Sequence, residues 1–272
     1  MKLRQLRTAL CRPDISLEYL QWRLSRMRHG GNARFTLPNG AIVSNFNGFS
    51  EFHSMLGCMS RAEQRFFAEI PPSDSPIIDV GANVGVVTLL LARYFPWRRI
   101  HAFEPGPTTF DTLQKNVRLN GFSNVSCHQI ALSDTLGEIT FDADPLKRGN
   151  ARIAGAGAGH ATAVATTTLD AFVGEEGIRS IGLLKIDVEG YETTVLSGAA
   201  QTLKDRIVNL VFMEIVPEAT ISAGFDALRP IQLVSDAGYD WFRLESNGAL
   251  TPVTAAEVTR IDYENWVAIP TP

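Results

Sequence analysis

The chain has only three cysteines, Cys11, Cys58 and Cys127, too few and too far apart for a disulfide framework or a metal pair. Each reads as a small apolar side chain, and a reducing compartment is the matching expectation. No apolar run approaches the roughly 18–20 residues that a membrane-spanning helix needs. The basic start MKLRQLRTALCRPD lacks the apolar core of a signal peptide. A soluble, cytoplasmic chain with no membrane span is therefore expected. Positive charge is not in surplus: the formal net charge is −4, which gives no general support to a nucleic-acid partner. A GKS or GKT triplet is also missing, which argues against a triphosphate-binding loop.

What is present is enough apolar residue, 45% of 272, for a sizeable core. Residues 1–70 read as an N-terminal extension, and 71–272 as the main domain. In the extension, SLEYLQWRLSRM spaces Leu17, Leu20, Leu24 and Met27 as one face of a short helix. Residues 1–33 carry seven Lys or Arg against Asp14 and Glu18. Two readings stay open: a helix packed on the main domain with a solvated basic face, or a surface for a partner or an acidic lipid. Pro38-Asn39-Gly40 predicts a turn between two short strands, and residues 50–70 a helical stretch.

From residue 76 strands and helices alternate. PIIDV, RRIHAFEP, NVSCHQIAL, IGLLKID and NLVFMEI read as strands. Between them NVGVVTLLLARYF, TTFDTLQKNVRLN and YETTVLSGAAQTLKD read as helices, with DALRPIQLVSDAG following. YDWFRL and WVAIP are expected to pair as an antiparallel edge. The pattern predicts an α/β, doubly wound, mostly parallel sheet covered on both sides. Residues 142–165, rich in Ala and Gly without an apolar period, are expected to form a loop excursion, either a lid or a simple surface loop.

The turn DVGANVG, residues 79–85, follows a strand and opens a helix. Gly81 and Gly85 permit tight turning, and the helix start offers unpaired N–H groups. The spacing G-x-x-x-G, with Asn83 in the middle, departs from the dinucleotide G-x-G-x-x-G. Asp79, two residues ahead of the first glycine, would repel a pyrophosphate and attract a cationic amino group. Glu104, at the end of the next strand, suits the two hydroxyls of a ribose. Ser133 and Asp134 end QIALSD, where they are placed to bond an adenine amino group; a turn residue before Gly137 is the alternative for Asp134.

At the fourth strand end stand Asp187 and Glu189, with Lys185 alternating onto the face of Asp187. A lysine in an apolar strand calls for a partner, either Asp187 or Glu214 at the neighbouring strand end. Asp187 and Glu214 are expected to converge over the crevice beyond the sheet, with Glu192 at a helix start. Asp187, Glu214 and His160 are the candidate general bases; Lys185 and Glu189 are placed on the substrate side. The same two acids, Asp187 and Glu214, leave a divalent metal open as a ligand. His160 otherwise reads as an exposed loop residue, His101 and His128 as structural, and Asp170 in TTLD as a helix-cap residue.

In ordered set, IIDVGANVG (77–85), HAFEPGPTTFDTLQKNVRLNG (101–121), ALSD (131–134), TTLD (167–170) and LLKIDVEGYETTVLSGA (183–199) resemble the FkbM family of S-adenosylmethionine-dependent methyltransferases. The resemblance spans roughly residues 75–215. It implies a class I methyltransferase (Rossmann-like) fold with seven strands in the order 3-2-1-4-5-7-6, the last antiparallel. It also implies O-methylation of a small-molecule hydroxyl on a sugar or another natural product. Carried over by position, Asp79, Gly81 and Gly85 hold the methionine part of the cofactor, with Asn83 in a place where many class I enzymes have glycine. Glu104 takes the ribose, Ser133 and Asp134 approach adenine, and Asp187 faces cofactor and substrate. A nicotinamide-dependent oxidoreductase and a non-catalytic binding module remain the competing expectations, and a homo-oligomer stays open.

Overall fold

The computed structural model describes residues 34–44, 60–142 and 161–272, together with Leu20, Arg23, Leu24 and Met27. The helical stretch expected over 50–70 is described from residue 60 on, while Cys11, Cys58 and His160 lie outside the described residues.

The Pro38-Asn39-Gly40 turn joins β1 (Arg34–Thr36) and β2 (Ile42–Ser44), which pair antiparallel. Gly40 sits at φ +84°, where a side chain is strained. Helix α1 (Arg61–Ala68) is started by Ser60, whose hydroxyl accepts from the Glu63 amide while the Glu63 carboxylate accepts from the Ser60 amide. Phe67 of α1 is buried against Phe212, with ring centroids 4.8 Å apart.

The main sheet alternates with helices. The elements are β3 (Ile77–Val80), α2 (Val86–Tyr94), β4 (Ile100–Phe103), α3 (Pro107–Leu119) and β5 (Val125–His128). After an excursion follow α4 (Leu169–Glu175), β9 (Leu183–Ile186), α5 (Glu192–Ser197), α6 (Ala200–Lys204) and β10 (Val211–Ile215). The chain closes with α7 (Pro217–Ser222), α8 (Arg229–Asp236), β11 (Tyr239–Leu244), β12 (Leu250–Pro252), a 3₁₀ turn (Ala255–Arg260) and β13 (Glu264–Pro270). The excursion holds β6 (Ala131–Leu132), β7 (Gly137–Asp142) and β8 (Ala161–Thr167).

The strand order is β12-β11-β13-β10-β9-β3-β4-β5. Strands β10, β9, β3, β4 and β5 run parallel, and β13 enters antiparallel between β10 and β11. The main sheet thus has eight strands where seven were expected, because the short β12 adds an edge beside β11. Both faces are covered, so neighbouring residues in one strand go to different cores. Ile77 and Leu183 pack with the α2 and α3 side chains Leu90, Leu113 and Val117. Ile78 and Leu184 pack with Phe172, Leu196, Leu203 and Val234 on the other face.

Three further expectations are corrected. NVSCHQIAL is not one strand: it breaks after His128, and Ala131–Leu132 leaves for a second sheet of order β6-β8-β7. The stretch 142–165 is not loop throughout, since Asp142 ends β7 and residues 161–165 belong to β8, which pairs antiparallel with β7. Ala and Thr carry little apolar signal, so the alternation of ATAVATT was hidden until a partner strand made it a sheet. The helix read over YETTVLSGAAQTLKD is two helices, parted at Gly198. A Cβ at Gly198 would stand 1.8 Å from the Ser133 carbonyl oxygen, so backbone from the excursion occupies that space. Asp170 proves architectural: its carboxylate accepts from the Gln201 and Thr202 amides (2.9 and 2.7 Å) and caps the start of α6.

The hairpin is tied down by asparagines. The Asn120 side chain accepts from the Ile42 amide and donates to the Ile42 carbonyl, both at 2.7 Å, like a neighbouring strand. Buried Asn116 accepts from the Ser44 amide (2.9 Å) and donates to the Val84 carbonyl (2.8 Å) in the glycine turn. The extension therefore braces the turn that begins α2.

Candidate active site

At the carboxyl ends of β3, β4, β9 and β10 the sheet opens, the position where open α/β sheets hold ligands. Asp79 lies in β3 directly across from Lys185 in β9. Both are buried, Asp79 at 0% and Lys185 at 4% exposure. The ammonium stands 3.1 Å from one Asp79 oxygen and 3.4 Å from Asp187, and donates to the Gly81 carbonyl at 3.0 Å. The other Asp79 oxygen accepts from the Thr88 hydroxyl at 2.5 Å. Burial alone would lower the lysine's pKa; Asp79 and Asp187 more than offset it and hold the ammonium charged, above its ordinary value.

Of the partners expected for Lys185 the structure gives Asp187, and it adds Asp79, which the sequence did not suggest. Lys185 ties the glycine turn to the strand that carries Asp187. Thr88 was missed altogether, although a lone hydroxyl inside VVTLLLA was the available signal.

The glycines have a packing reason as well as a turning one. Gly81 has φ +75°, and a Cβ there would lie 1.9 Å from the Asp187 carbonyl oxygen. At Gly85, φ +95°, the Leu113 side chain fills the space at 2.7 Å. Asn83 also adopts a left-handed conformation, φ 51°. The turn is thus clamped between β9 and α3, and its amides are taken up internally: Gly81 and Ala82 donate to the Phe103 carbonyl, Asn83 to Glu104, Val84 to the Asn83 side chain and Gly85 to the Ala82 carbonyl.

Glu104 follows β4 and is buried. One carboxylate oxygen accepts from the Asn83 amide (3.0 Å), the other from the Gly106 amide (2.9 Å). Burial raises its pKa to about 7 despite these amides and the Lys185 charge. Each oxygen keeps acceptor capacity, so the group fits two adjacent hydroxyls.

Asp187, Glu189 and Glu214 converge: each offers a carboxylate oxygen, and the three lie within 4.8 Å of one another. All three are half-buried. Burial first, then the Asp187 and Glu189 charges, pushes the Glu214 carboxyl up to about 10. Glu214 is hydrogen-bonded to Asp187, and the two titrate as a pair that holds a proton more tightly than an isolated carboxyl. Glu189 adopts φ 55°, and Gly190 beside it, φ +100°, is pressed against the Ala219 carbonyl. The buried Glu192 carboxylate accepts from the Gly190 amide (3.1 Å) and holds this turn; burial raises its pKa.

Ser133 and Asp134 end β6 in the small sheet. The buried Ser133 donates its amide to Thr167 (2.8 Å) and its hydroxyl to Asp134 (3.2 Å), while Asp134 is exposed. The imidazoles of His101 and His128 meet at 3.1 Å, and burial lowers the pKa of both. His128 stacks on Phe103 with ring centroids 4.6 Å apart, and both imidazoles meet Phe172 edge-on.

The sheet, the glycine turn and the acids at successive strand ends define a Rossmann-like α/β domain with its crevice at the carboxyl ends of the strands. Residues 79–240 match the methyltransferase FkbM domain, and the chain belongs to that family. A protein named Methyltransferase 1 from Beauveria bassiana is 33% identical over 160 residues, covering 52% of this chain and 64% of that protein. The 31-O-demethyl-FK506 methyltransferase FkbM of Streptomyces tacrolimicus is 31% identical over 207 residues, 64% of this chain and 78% of that one. The hexuronic acid methyltransferase AglP of Haloferax volcanii is 31% identical over 182 residues, 65% and 70% of the two chains. The family replaces the nicotinamide-dependent alternative. Among the described residues no helix is long and apolar enough to cross a membrane.

Proposed function

We propose that this chain transfers the methyl group of S-adenosylmethionine to a hydroxyl of a small molecule, a sugar or another hydroxylated natural product. The observation that carries the reading is the convergence of Asp187 and Glu214 at adjacent strand ends, beside a glycine turn fixed by Lys185. When bound, the cofactor supplies an electrophilic methyl on a positively charged sulfur. Glu104 would accept the two ribose hydroxyls, the turn 81–85 would lie against the methionine part, and Ser133 and Asp134 would lie on the adenine side. Asp79 acts through Lys185 and Thr88 and shapes the turn from beneath. Asp187 would accept the proton of the acceptor hydroxyl as its oxygen bonds the methyl carbon and the carbon–sulfur bond breaks, leaving S-adenosylhomocysteine. A proton shared between Glu214 and Asp187 lessens the repulsion among the three carboxylates. Glu189 orients further acceptor hydroxyls. Two of the relatives, a hexuronic acid methyltransferase and a 31-O-demethyl-FK506 methyltransferase, support a hydroxylated acceptor. A small molecule is favoured over nucleic acid by the acidic balance of the chain.

A divalent cation is the second reading, favoured by three oxygen donors within 4.8 Å. Such a set fits a hard ion such as Mg²⁺, which would take the place of the shared proton and bind vicinal acceptor hydroxyls.

The test is calorimetry with S-adenosylmethionine and S-adenosylhomocysteine, then methyl transfer to uronic acid glycosides and macrolide alcohols with Asp187→Asn beside the wild type. The expected result is cofactor binding by both proteins and turnover lowered at least about 100-fold in the variant. Full turnover by Asp187→Asn removes Asp187 as the base; failure of either sulfur ligand to bind removes the reading.

A further inference from the structure

Two features of the extension are not used by the catalytic reading. The first is an apolar stripe. Leu20, Leu24 and Met27 are helical and stand 52%, 46% and 76% exposed. Their spacing of four and three residues puts them on one face, with exposed Arg23 at its border. The second feature is charge asymmetry. Residues 1–33 hold a surplus of five positive charges, whereas the chain as a whole is −4, so residues 34–272 carry a net −9.

We propose that this N-terminal segment docks the protein on a bilayer bearing anionic headgroups. Leu20, Leu24 and Met27 enter the headgroup boundary, and Arg23 keeps its guanidinium among the phosphates while its stem lies on the apolar side. The basic surplus draws the segment to the surface, and the acidic remainder is repelled from it. Attraction at one end and repelling charge at the other give the chain a preferred orientation, with the catalytic domain held off the bilayer. Neither signal is strong alone: three apolar side chains make a short anchor, and surface charge acts only within about a Debye length, ~10 Å at 0.1 M salt. Their coincidence in one short segment is what fits an anionic membrane surface rather than a neutral one.

Co-sedimentation of the full chain with vesicles tests this, using phosphatidylcholine alone and phosphatidylcholine with roughly a third phosphatidylglycerol. The expected result is binding to the anionic vesicles only, weakened on the order of tenfold when salt rises from ~0.1 to ~0.5 M. Leu24→Glu/Met27→Glu is expected to abolish sedimentation while S-adenosylmethionine binding by calorimetry stays at the wild-type value, which shows that the domain is folded. Equal sedimentation with both vesicle types, sedimentation with neither, or binding unchanged in the double variant overturns the proposal. A dimer in light scattering that the double variant dissolves, without vesicle binding, assigns the stripe to a second copy of the chain and also overturns it.

Discussion

Replacing Lys185 by methionine removes the charge that balances Asp79 while keeping a side chain of similar length. Asp79 is 0% exposed, and its remaining partner is the Thr88 hydroxyl. Removing one member of a buried ion pair typically costs about 3–5 kcal/mol. A second route to the magnitude uses protonation, since a buried carboxyl can escape its charge by taking a proton. For a carboxyl of ordinary pKa, about 3.9, that costs about 4 kcal/mol at pH 7 and about 1.5 kcal/mol at pH 5. The lost hydrogen bond to the Gly81 carbonyl adds about 1 kcal/mol at every pH. An unpaired buried carboxylate is a charge that acid can neutralise, so its penalty is relieved at low pH and grows as pH rises. The sign is therefore a destabilisation that increases from pH 5 to pH 7. At about 2–4 °C per kcal/mol for a domain of this size, the melting temperature near pH 7 is expected to fall by roughly 10–20 °C. Thermal denaturation of wild type, Lys185→Met, Asp79→Asn and the double variant across pH 5–8 makes the measurement, and the double variant is expected to recover most of the loss. A destabilisation that does not change with pH, or a double variant no better than Lys185→Met, would refute the pairing argument.

The remaining predictions concern the crevice and its supports. Gly81→Ala forces a Cβ within 1.9 Å of the Asp187 carbonyl at φ +75°; β9 must move by about an ångström, and turnover is expected to drop on the order of 100-fold in a methyl-transfer assay. Glu104, with its pKa near 7, accepts ribose hydroxyls best when ionised. Cofactor Kd is therefore expected to be flat above pH 7 and to weaken about tenfold per pH unit below it, with Glu104→Gln flattening the calorimetric profile. Asp170→Ala uncaps α6 and is expected to cost about 1–2 kcal/mol in denaturant unfolding with cofactor Kd unchanged. Chelation by EDTA separates the two readings of the carboxylate cluster: retained turnover supports the shared proton, and loss restored by Mg²⁺ supports the cation.

Local sequence determined much of this protein, because local sequence carries the physics of strand, turn and cap. The alternation of short apolar strands with amphipathic helices dictates a parallel sheet covered on both faces. The hairpin follows from Pro38-Asn39-Gly40, where a glycine relieves the strain of φ +84°. Acids at the ends of β3, β4, β9 and β10 marked the crevice, since a carboxylate next to a buried strand needs a partner or an opening. What the sequence could not express is which strands become neighbours. Asp79 and Lys185 are 106 positions apart, and only the insertion of β9 beside β3 sets them across from each other. That pairing gives Lys185 a partner the sequence did not suggest. In the same way Gly81 reads as a turn residue, but the space its Cβ would need is taken by Asp187 of another strand end. The eighth strand, the split of NVSCHQIAL and the strand within ATAVATT have the same cause. Short segments of weak pattern take the form of whichever backbone lies beside them, and tertiary packing alone decides that neighbour.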